Sequence, residues 1–255
     1  MEITINELLK GKATRIKNKE YFPTRAYVEP FLDRVSKTLT DKFVIKVETP
    51  DQITTNEESE DITYNRVWIQ GILPDDYIIE NHQEVIGMVM GLDVRKPIVK
   101  FYRGGLNMAC CNLCVFNPSF LECQEIYPEA ALNYKSVDTL IDKASELRQW
   151  LNTLHSTTFE RTEQNINESL GMWVRRCLDL SFSNGFGKVK LAVSTAVDAY
   201  KLLFADSESE YYVHKGENTD LFNIYNAFTD IISNDKDKDI MNKAEKCLLL
   251  KDILF

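Results

Sequence analysis

Four cysteines and one histidine are the side chains in this sequence with the clearest capacity to bind a metal. Cys111 and Cys114 are separated by two residues, the usual local spacing of two zinc ligands, and Cys110 adjoins them. Cys123 and His155 would have to complete a tetrahedral site, because no second Cys-x-x-Cys or His-x-x-His pair is present. The alternative is that the cysteines are free thiols buried on a strand. We favour the free thiols and expect no cofactor, with zinc as the one metal that the spacing allows.

Nucleophilic catalysis has no recognisable motif in this chain. The histidines are His82, His155 and His214, none of them lies in a nucleophile motif, and no Gly-x-Ser-x-Gly sequence is present. A pair between Cys114 and His155 is possible in three dimensions, but nothing in the spacing indicates one. We therefore expect a binding protein rather than an enzyme.

Positive charge is concentrated in residues 10–25, which we call the basic segment. Its cations are Lys10, Lys12, Arg15, Lys17, Lys19 and Arg25, and Tyr21 and Phe22 lie among them. Cations contact phosphates and aromatic rings stack on bases, so this composition is typical of an arm that binds single-stranded DNA. The alternative is a solvated stretch before the first long helix, with its lysines in water. Arg103 would extend a binding surface, together with Lys100, Arg175 and Arg176, if these residues face the same way.

The elements that position these residues change character near residue 130. Apolar patterning predicts strands at residues 43–47, 62–73, 85–92 and 97–103. Helical spacing predicts a helix that follows Thr24, and others at residues 137–154, 170–178, 189–204, 221–232 and at the C-terminus.

Strands followed by helices predict an α+β fold, with a mostly antiparallel sheet from the N-terminal half packed against a helical C-terminal half. No linker-like segment separates the halves. We therefore expect one composite domain over residues 1–255, strand-rich over 1–130 and helix-rich over 131–255. The apolar residues 248–255 are a candidate interface for a homo-oligomer, although burial in the chain's own core is the stronger expectation.

The overall composition limits the classes of partner. The chain has 255 residues and a formal net charge of −9, which argues against binding nucleic acid through overall positive charge but allows a local basic face. No run of about 18 apolar residues is present, so we expect no membrane span. The start, MEITINELLKGK, lacks the basic and apolar regions of a secretory signal. We expect a cytoplasmic protein with six reduced cysteines.

Three stretches together resemble DUF932, a family of phage- and plasmid-borne proteins of unknown function. Residues 20–24, Glu-Tyr-Phe-Pro-Thr, with the helix after them, resemble its Tyr-x-Pro-Thr segment. Residues 101–112 resemble its Arg…(Val/Ala)-Cys-x-Asn-Gly segment, with Leu113 in place of the glycine. Residues 220–230 resemble its Asp-x-Trp-x-x-Tyr-Asn-x-x-Thr-Glu helix, with Phe222 in place of the tryptophan. The polar residues that match the family pattern are Arg103, Asn112, Tyr225, Asn226 and Thr229.

The resemblance implies a phage or mobile-element origin, hence the cytoplasm of a host cell, and no established activity. Together with the basic segment, it leads us to expect a non-enzymatic phage protein that acts in phage DNA metabolism by binding single-stranded DNA. One alternative is a phage protein that binds and inhibits or redirects a host defence factor through the acidic residues 51–61 and 206–210. The other is a zinc-dependent module that uses Cys111, Cys114, Cys123 and His155.

Overall fold

The computed structural model describes most of the chain, which separates into two compact units. The described residues are 2–10, 13–16, 20–22, 24–48, 63–64, 66–74, 78–79, 82–93, 96–107, 113–114, 121–125, 132–183, 189–234 and 240–254. The first unit comprises Met1–Gly105 and Ser119–Ala144, and the second comprises Leu106–Pro118 and Ser145–Phe255. The first unit ends at Ala144, whereas the sequence predicted the change from strands to helices near residue 130. That the two units act as one composite domain stays a prediction.

The described part of the N-terminal half is rich in strands, and two further short strands lie in the C-terminal half. The strands are β1 (Glu2–Ile3), β2 (Ala13–Ile16), β3 (Glu20–Phe22), β4 (Phe43–Glu48), β5 (Thr63–Tyr64), β6 (Arg66–Ile72), β7 (Ile78–Ile79), β8 (His82–Asp93), β9 (Lys96–Asn107), β10 (Leu113–Cys114), β11 (Leu121–Glu125), β12 (Thr158–Glu160) and β13 (Asn218–Asp220). The four predicted strands correspond to β4, β6, β8 and β9.

Helices dominate the C-terminal half, which confirms the α+β fold class. The helices are α1 (Ile5–Lys10), α2 (Thr24–Thr38), α3 (Lys135–Ile141), α4 (Ala144–Ser156), α5 (Glu163–Ser183), α6 (Val193–Phe204), α7 (Leu221–Asn234) and α8 (Ile240–Leu254). Within the described ranges, none of these helices combines the length and the apolar content that crossing a bilayer requires.

An antiparallel sheet forms the core of the first unit. Its strands there follow the order β1-β4-β6-β8-β9, while β7 pairs with β8 and β11 pairs with β9. Half-buried and buried residues alternate along β6, as expected for a strand with one face in the core. The residues of β8 from His82 to Gly91 are all buried, which agrees with the apolar run at its centre.

Helix α2 covers part of this sheet with its apolar side. Val28, Phe31 and Val35 have no exposed surface. The ring of Phe31 stacks on that of Phe101 in β9, with ring centroids 5.9 Å apart. The buried face predicted from helical spacing in this segment is therefore confirmed.

A glycine lets an aromatic side chain cross the middle of the sheet. A Cβ atom at Gly87 would lie 2.1 Å from Cζ of Tyr102, closer than any two such atoms can approach. Burial raises the pKa of the Tyr102 hydroxyl, and a hydrogen bond with the Gln70 side chain opposes that rise. Gly87 is thus required by the close approach of a neighbouring ring.

The helical stripe predicted over residues 137–154 is wrong as a single helix, because α3 ends at Ile141 and α4 begins at Ala144. The guanidinium of Arg103 donates hydrogen bonds to the carbonyls of Leu140 and Ile141. Those carbonyl groups lie in the last turn of α3, and the Leu140 carbonyl also accepts a hydrogen bond from the backbone N–H of Lys143 at 3.3 Å. A side chain from the sheet therefore stabilises the end of α3.

Helices α5 to α8 build the second unit. Trp173 of α5 meets Phe228 of α7 edge-on, with ring centroids 5.2 Å apart. Strands β12 and β13 form a small antiparallel sheet in which Thr158 pairs with Asp220. At the C-terminus Leu250 and Ile253 have no exposed surface, so these two residues lie in the core of their own unit, as expected. Homo-oligomerisation stays a prediction.

Candidate functional site

The centre of the basic segment folds into an antiparallel hairpin. Strands β2 and β3 pair with Arg15 opposite Tyr21, and β2 also runs parallel to β5. Lys10 is the last residue of α1. Outside the described residues lie Lys12, Lys17 and Lys19. The register therefore aligns a cationic residue with an aromatic one.

Arg25 is an exposed residue of α2 beyond the hairpin. Its Nε atom lies 2.7 Å from Oε1 of Glu29, one helical turn further on. The two side chains are 67% and 44% exposed, so water screens their attraction. Arg25 is accessible to a ligand, although Glu29 would compete for it.

Arg103 is buried, which corrects the prediction that it extends a nucleic-acid-binding surface. Its side chain is 0% exposed, and its Nε donates a hydrogen bond to Oε1 of Glu84 at 2.6 Å. Its Nη1 also donates to the carbonyl oxygen of Leu140 at 2.8 Å. A guanidinium enclosed in this way has no surface to offer a phosphate, so Arg103 holds the first unit together.

The predicted metal ligands are divided between the two units and the undescribed residues. Cys111 and the family-motif residue Asn112 lie outside the described residues. Cys114 belongs to β10 in the second unit, and Cys123 is exposed on β11 in the first unit. Among the described residues, no group of three or more His, Cys, Asp or Glu side chains is arranged to hold a metal. The zinc site stays a prediction, which the zinc content of protein purified without chelators would test.

His155 of α4 forms a pair with a carboxylate that the sequence did not identify as its partner. Its Nδ1 lies 3.1 Å from Oδ2 of Asp220, and the carboxylate can only accept, so Nδ1–H donates. The imidazole also packs on the ring of Phe222, with ring centroids 4.0 Å apart. Oδ1 of Asp220 accepts a hydrogen bond from the backbone N–H of Asn223 at 2.8 Å, which caps α7.

A histidine–carboxylate pair can act as a general base only if the second ring nitrogen reaches a substrate. In this chain Nε2 of His155 is buried. The pair therefore joins α4 to the start of α7 and is a structural feature. An Asp immediately before the apolar periodicity of α7 is the signal that could have identified the cap.

The polar residues of the C-terminal motif lie on α7. Tyr225 and Thr229 are 1% and 2% exposed, and Asn226 is half-buried. The hydroxyl of Thr229 donates to the carbonyl of Asn226 at 2.9 Å. These residues help to build the helical core of the second unit.

A cleft of about 480 Å³ lies between β12 and the first half of α5. Its lining residues are Thr158, Phe159, Glu160, Asn165, Glu168, Ser169 and Met172. The sequence analysis did not identify this cleft, because none of its lining residues belongs to a motif. Its strand, β12, is only three residues long. Its walls combine apolar surface with carboxylates and hydroxyl groups.

Comparison of the chain with protein-family models, with curated proteins and with solved structures found no match. The resemblance to DUF932 therefore stays a prediction, and the chain's own residues carry the functional inference.

Proposed function

We propose that this chain is a non-enzymatic protein that binds single-stranded DNA through the basic segment, in the phage DNA metabolism that the resemblance implies. The observation that supports this proposal most directly is the antiparallel pairing of β2 with β3. Two paired strands can contact one ligand together, and the sequence between β2 and β3 includes Lys17 and Lys19. Local charge can act in this way although the net charge is −9, because salt screens charges more than about 10 Å apart.

The salt dependence of binding tests the electrostatic part of this proposal. A fluorescently labelled oligothymidine should bind the protein in an anisotropy titration, and the logarithm of the affinity should fall linearly with the logarithm of the salt concentration. Each phosphate contact contributes about 0.7 to that slope for a single strand. Replacing Arg15, Lys17 and Lys19 together by alanine should therefore reduce the slope by about 2.

A second triple variant separates local contacts from the loss of overall charge. Lys37, Lys46 and Lys201 are lysines outside the basic segment whose side chains are 69%, 53% and 60% exposed. Replacing these three by alanine removes the same total charge and should leave the slope close to that of the unchanged protein. Equal losses in both triple variants, or no detectable binding of the unchanged protein at about 50 mM salt, would refute the proposal.

The aromatic part of the proposal has a different signature. Stacking of one base on one ring is worth about 1–3 kcal/mol and does not depend on counterion release. Tyr21→Ala should therefore weaken binding at every salt concentration without changing the slope, while Tyr21→Phe should retain most of the affinity. A Tyr21→Ala protein with unchanged affinity would show that the base does not stack there.

We propose as the second candidate that the chain binds and inhibits or redirects a host protein through an acidic turn, residues 206–210. The other predicted acidic stretch, residues 51–61, lies outside the described residues. Asp206, Glu208 and Glu210 are exposed there, and the backbone N–H of Glu208 donates to Oδ1 of Asp206 at 3.1 Å. An ordered acidic surface is suited to proteins that bind nucleic acid, whose own surfaces are basic. Replacing the three acids by their amides should abolish retention of a stoichiometric partner from host lysate. Absence of any such partner would count against this function.

A further inference from the structure

We propose that the cleft between β12 and α5 binds a small alkylamine, a ligand with one protonated amino group on a short hydrocarbon chain. This site lies in the second unit and is separate from the basic segment. Its volume of about 480 Å³ lies within the range of about 300–1,000 Å³ that is usual for small-molecule sites. The chemistry of its lining indicates which ligand it would accept.

The charge of the lining is negative. Glu160 and Glu168 line the cleft, and none of the lining residues that the structure describes is a lysine or an arginine. Within the described part of the chain, neither carboxylate forms an ion pair with a cationic side chain. One oxygen of Glu168 accepts a hydrogen bond from Nε2 of Gln164 at 2.8 Å, which leaves the other for a ligand.

The nearest cation along the chain is engaged elsewhere. Arg161 follows Glu160 directly, but its Nη2 lies 3.2 Å from the carbonyl oxygen of Phe204. Its guanidinium also lies over the ring of Tyr212, 5.0 Å from the ring centroid. The Arg161 guanidinium therefore contacts these two groups and is not among the lining residues, and a ligand with positive charge would complement the two carboxylates.

A buried hydroxyl group gives the cleft a specific polar contact. Ser169 is 7% exposed and belongs to the lining. Its hydroxyl makes no hydrogen bond with any residue that the structure describes. A hydroxyl that is largely buried and unpartnered is costly unless a ligand or water satisfies it, and an ammonium group donates to such an oxygen.

Two residues of the lining, Phe159 and Met172, are apolar. Met172 is 38% exposed, and Phe159 is a half-buried neighbour in the cleft. Glycine at position 171 leaves open space beside Met172, since a Cβ atom there would meet nothing within 4 Å. A short alkyl chain would be sheltered against Met172 and Phe159 while its ammonium group meets the carboxylates and Ser169.

Methyl NMR of the full chain with labelled methionines tests this proposal with n-butylamine as the probe. The Met172 methyl signal, assigned with a Met172→Leu variant, should shift in a saturable manner. The signals of Met88 and Met90, which are buried in β8, should not move. The uncharged n-butanol should give no saturable shift. Equal shifts with the alcohol and the amine, or no shift of Met172 with the amine, would overturn the proposal.

Three variants identify the contacts, and a fourth controls for general attraction to an acidic protein. Glu160→Gln and Glu168→Gln should each weaken binding by about fivefold, as expected for ion pairs open to water. Ser169→Ala should weaken it by roughly threefold and leave the fold intact. Glu208→Gln removes the same charge from the exposed turn after α6 and should change nothing. If Glu208→Gln weakens binding as much as Glu168→Gln does, no site is present in the cleft.

Replacing the three basic residues Arg15, Lys17 and Lys19 should not affect butylamine binding, so this test and the DNA test can fail independently.

Discussion

Two side-chain pairs in this chain have similar chemistry, since each has a carboxylate as the acceptor, and opposite surroundings. In the first unit, Arg103 and Glu84 are 0% and 1% exposed, and the closest nitrogen and oxygen atoms are 2.6 Å apart. In the second unit, His155 and Asp220 are 26% and 34% exposed, and the corresponding distance is 3.1 Å. A buried ion that loses its partner has no water to replace it, whereas a half-exposed ion is hydrated again. The same kind of contact should therefore differ greatly in its effect on stability.

Arg103→Met should cause the largest loss of stability. The new side chain retains apolar bulk, but it leaves Glu84 buried without its cation and removes the donor to the carbonyls at the end of α3. Removing one partner of a buried pair costs about 3–5 kcal/mol. Urea denaturation followed by circular dichroism should show that loss in the free energy of unfolding.

A double variant distinguishes the unpaired charge from the lost packing. Glu84→Leu combined with Arg103→Met removes both members of the buried pair, so this protein should be more stable than the one that carries Arg103→Met alone. It should not reach the stability of the unchanged protein, because the carbonyls of Leu140 and Ile141 still lose their donor. A double variant less stable than the single one would contradict the assignment of the loss to the unpaired charge.

Periodicity in the sequence predicted the fold class but not this buried pair. The alternation in β6 and the helical spacing in α2 are local patterns, and the structure has both elements. Arg103 interrupts an apolar strand, which indicates either an exposed edge or a buried partner. Its partner Glu84 lies 19 residues away on the adjacent strand, and the register between strands depends on long-range packing. The sequence analysis expected Arg103 to extend a binding surface, and its burial shows that this expectation was wrong.

Asp220→Ala should have an intermediate effect, because it removes two contacts of a half-exposed residue. The cap on the Asn223 N–H is lost, and so is the acceptor of His155. Loss of a capping side chain costs about 0.5–2 kcal/mol. Thermal denaturation of the variant should show a lower midpoint than that of the unchanged protein.

Conservative variants show how much of this loss of stability comes from the cap and how much from the negative charge of Asp220. Asp220→Asn retains a good capping residue and removes only the charge that faces His155, so it should recover most of the stability. His155→Gln should resemble Asp220→Asn. If Asp220→Asn is as unstable as Asp220→Ala, the contact with His155 rather than the cap makes the main contribution of Asp220 to stability. The two pairs would then differ less in their effect on stability than their exposure indicates.

Of the two candidate sites, the basic segment was identified from the sequence and the cleft was not. Charge density along the chain identified the basic segment, because adjacent residues of one sign are visible without a structure. The cleft joins Phe159 on a strand to Met172 on a helix, with ordinary polar residues between them. Its existence depends on how α5 lies against β12, which no local pattern determines.

Asp230 is a third case, in which a half-buried carboxylate of α7 faces a like charge, and it should show the smallest effect. Burial raises the pKa of Asp230 above its ordinary value near 4, and the negative charge of Glu210 raises it further, while a hydrogen bond from Asn234 opposes both. A carboxylate whose pKa is higher in the folded than in the unfolded state binds its proton more tightly when folded, so its ionisation destabilises the fold. That penalty is absent below pH 4 and complete above the raised pKa.

Asp230→Asn should therefore be slightly more stable than the unchanged protein at pH 7, and the difference should vanish as the pH falls through this window. Denaturation series at pH 7 and at about pH 3.5 would measure it, with Asp206→Asn as the exposed control. A variant less stable at pH 7 would mean that ionised Asp230 is held by a favourable contact, as Asp220 is.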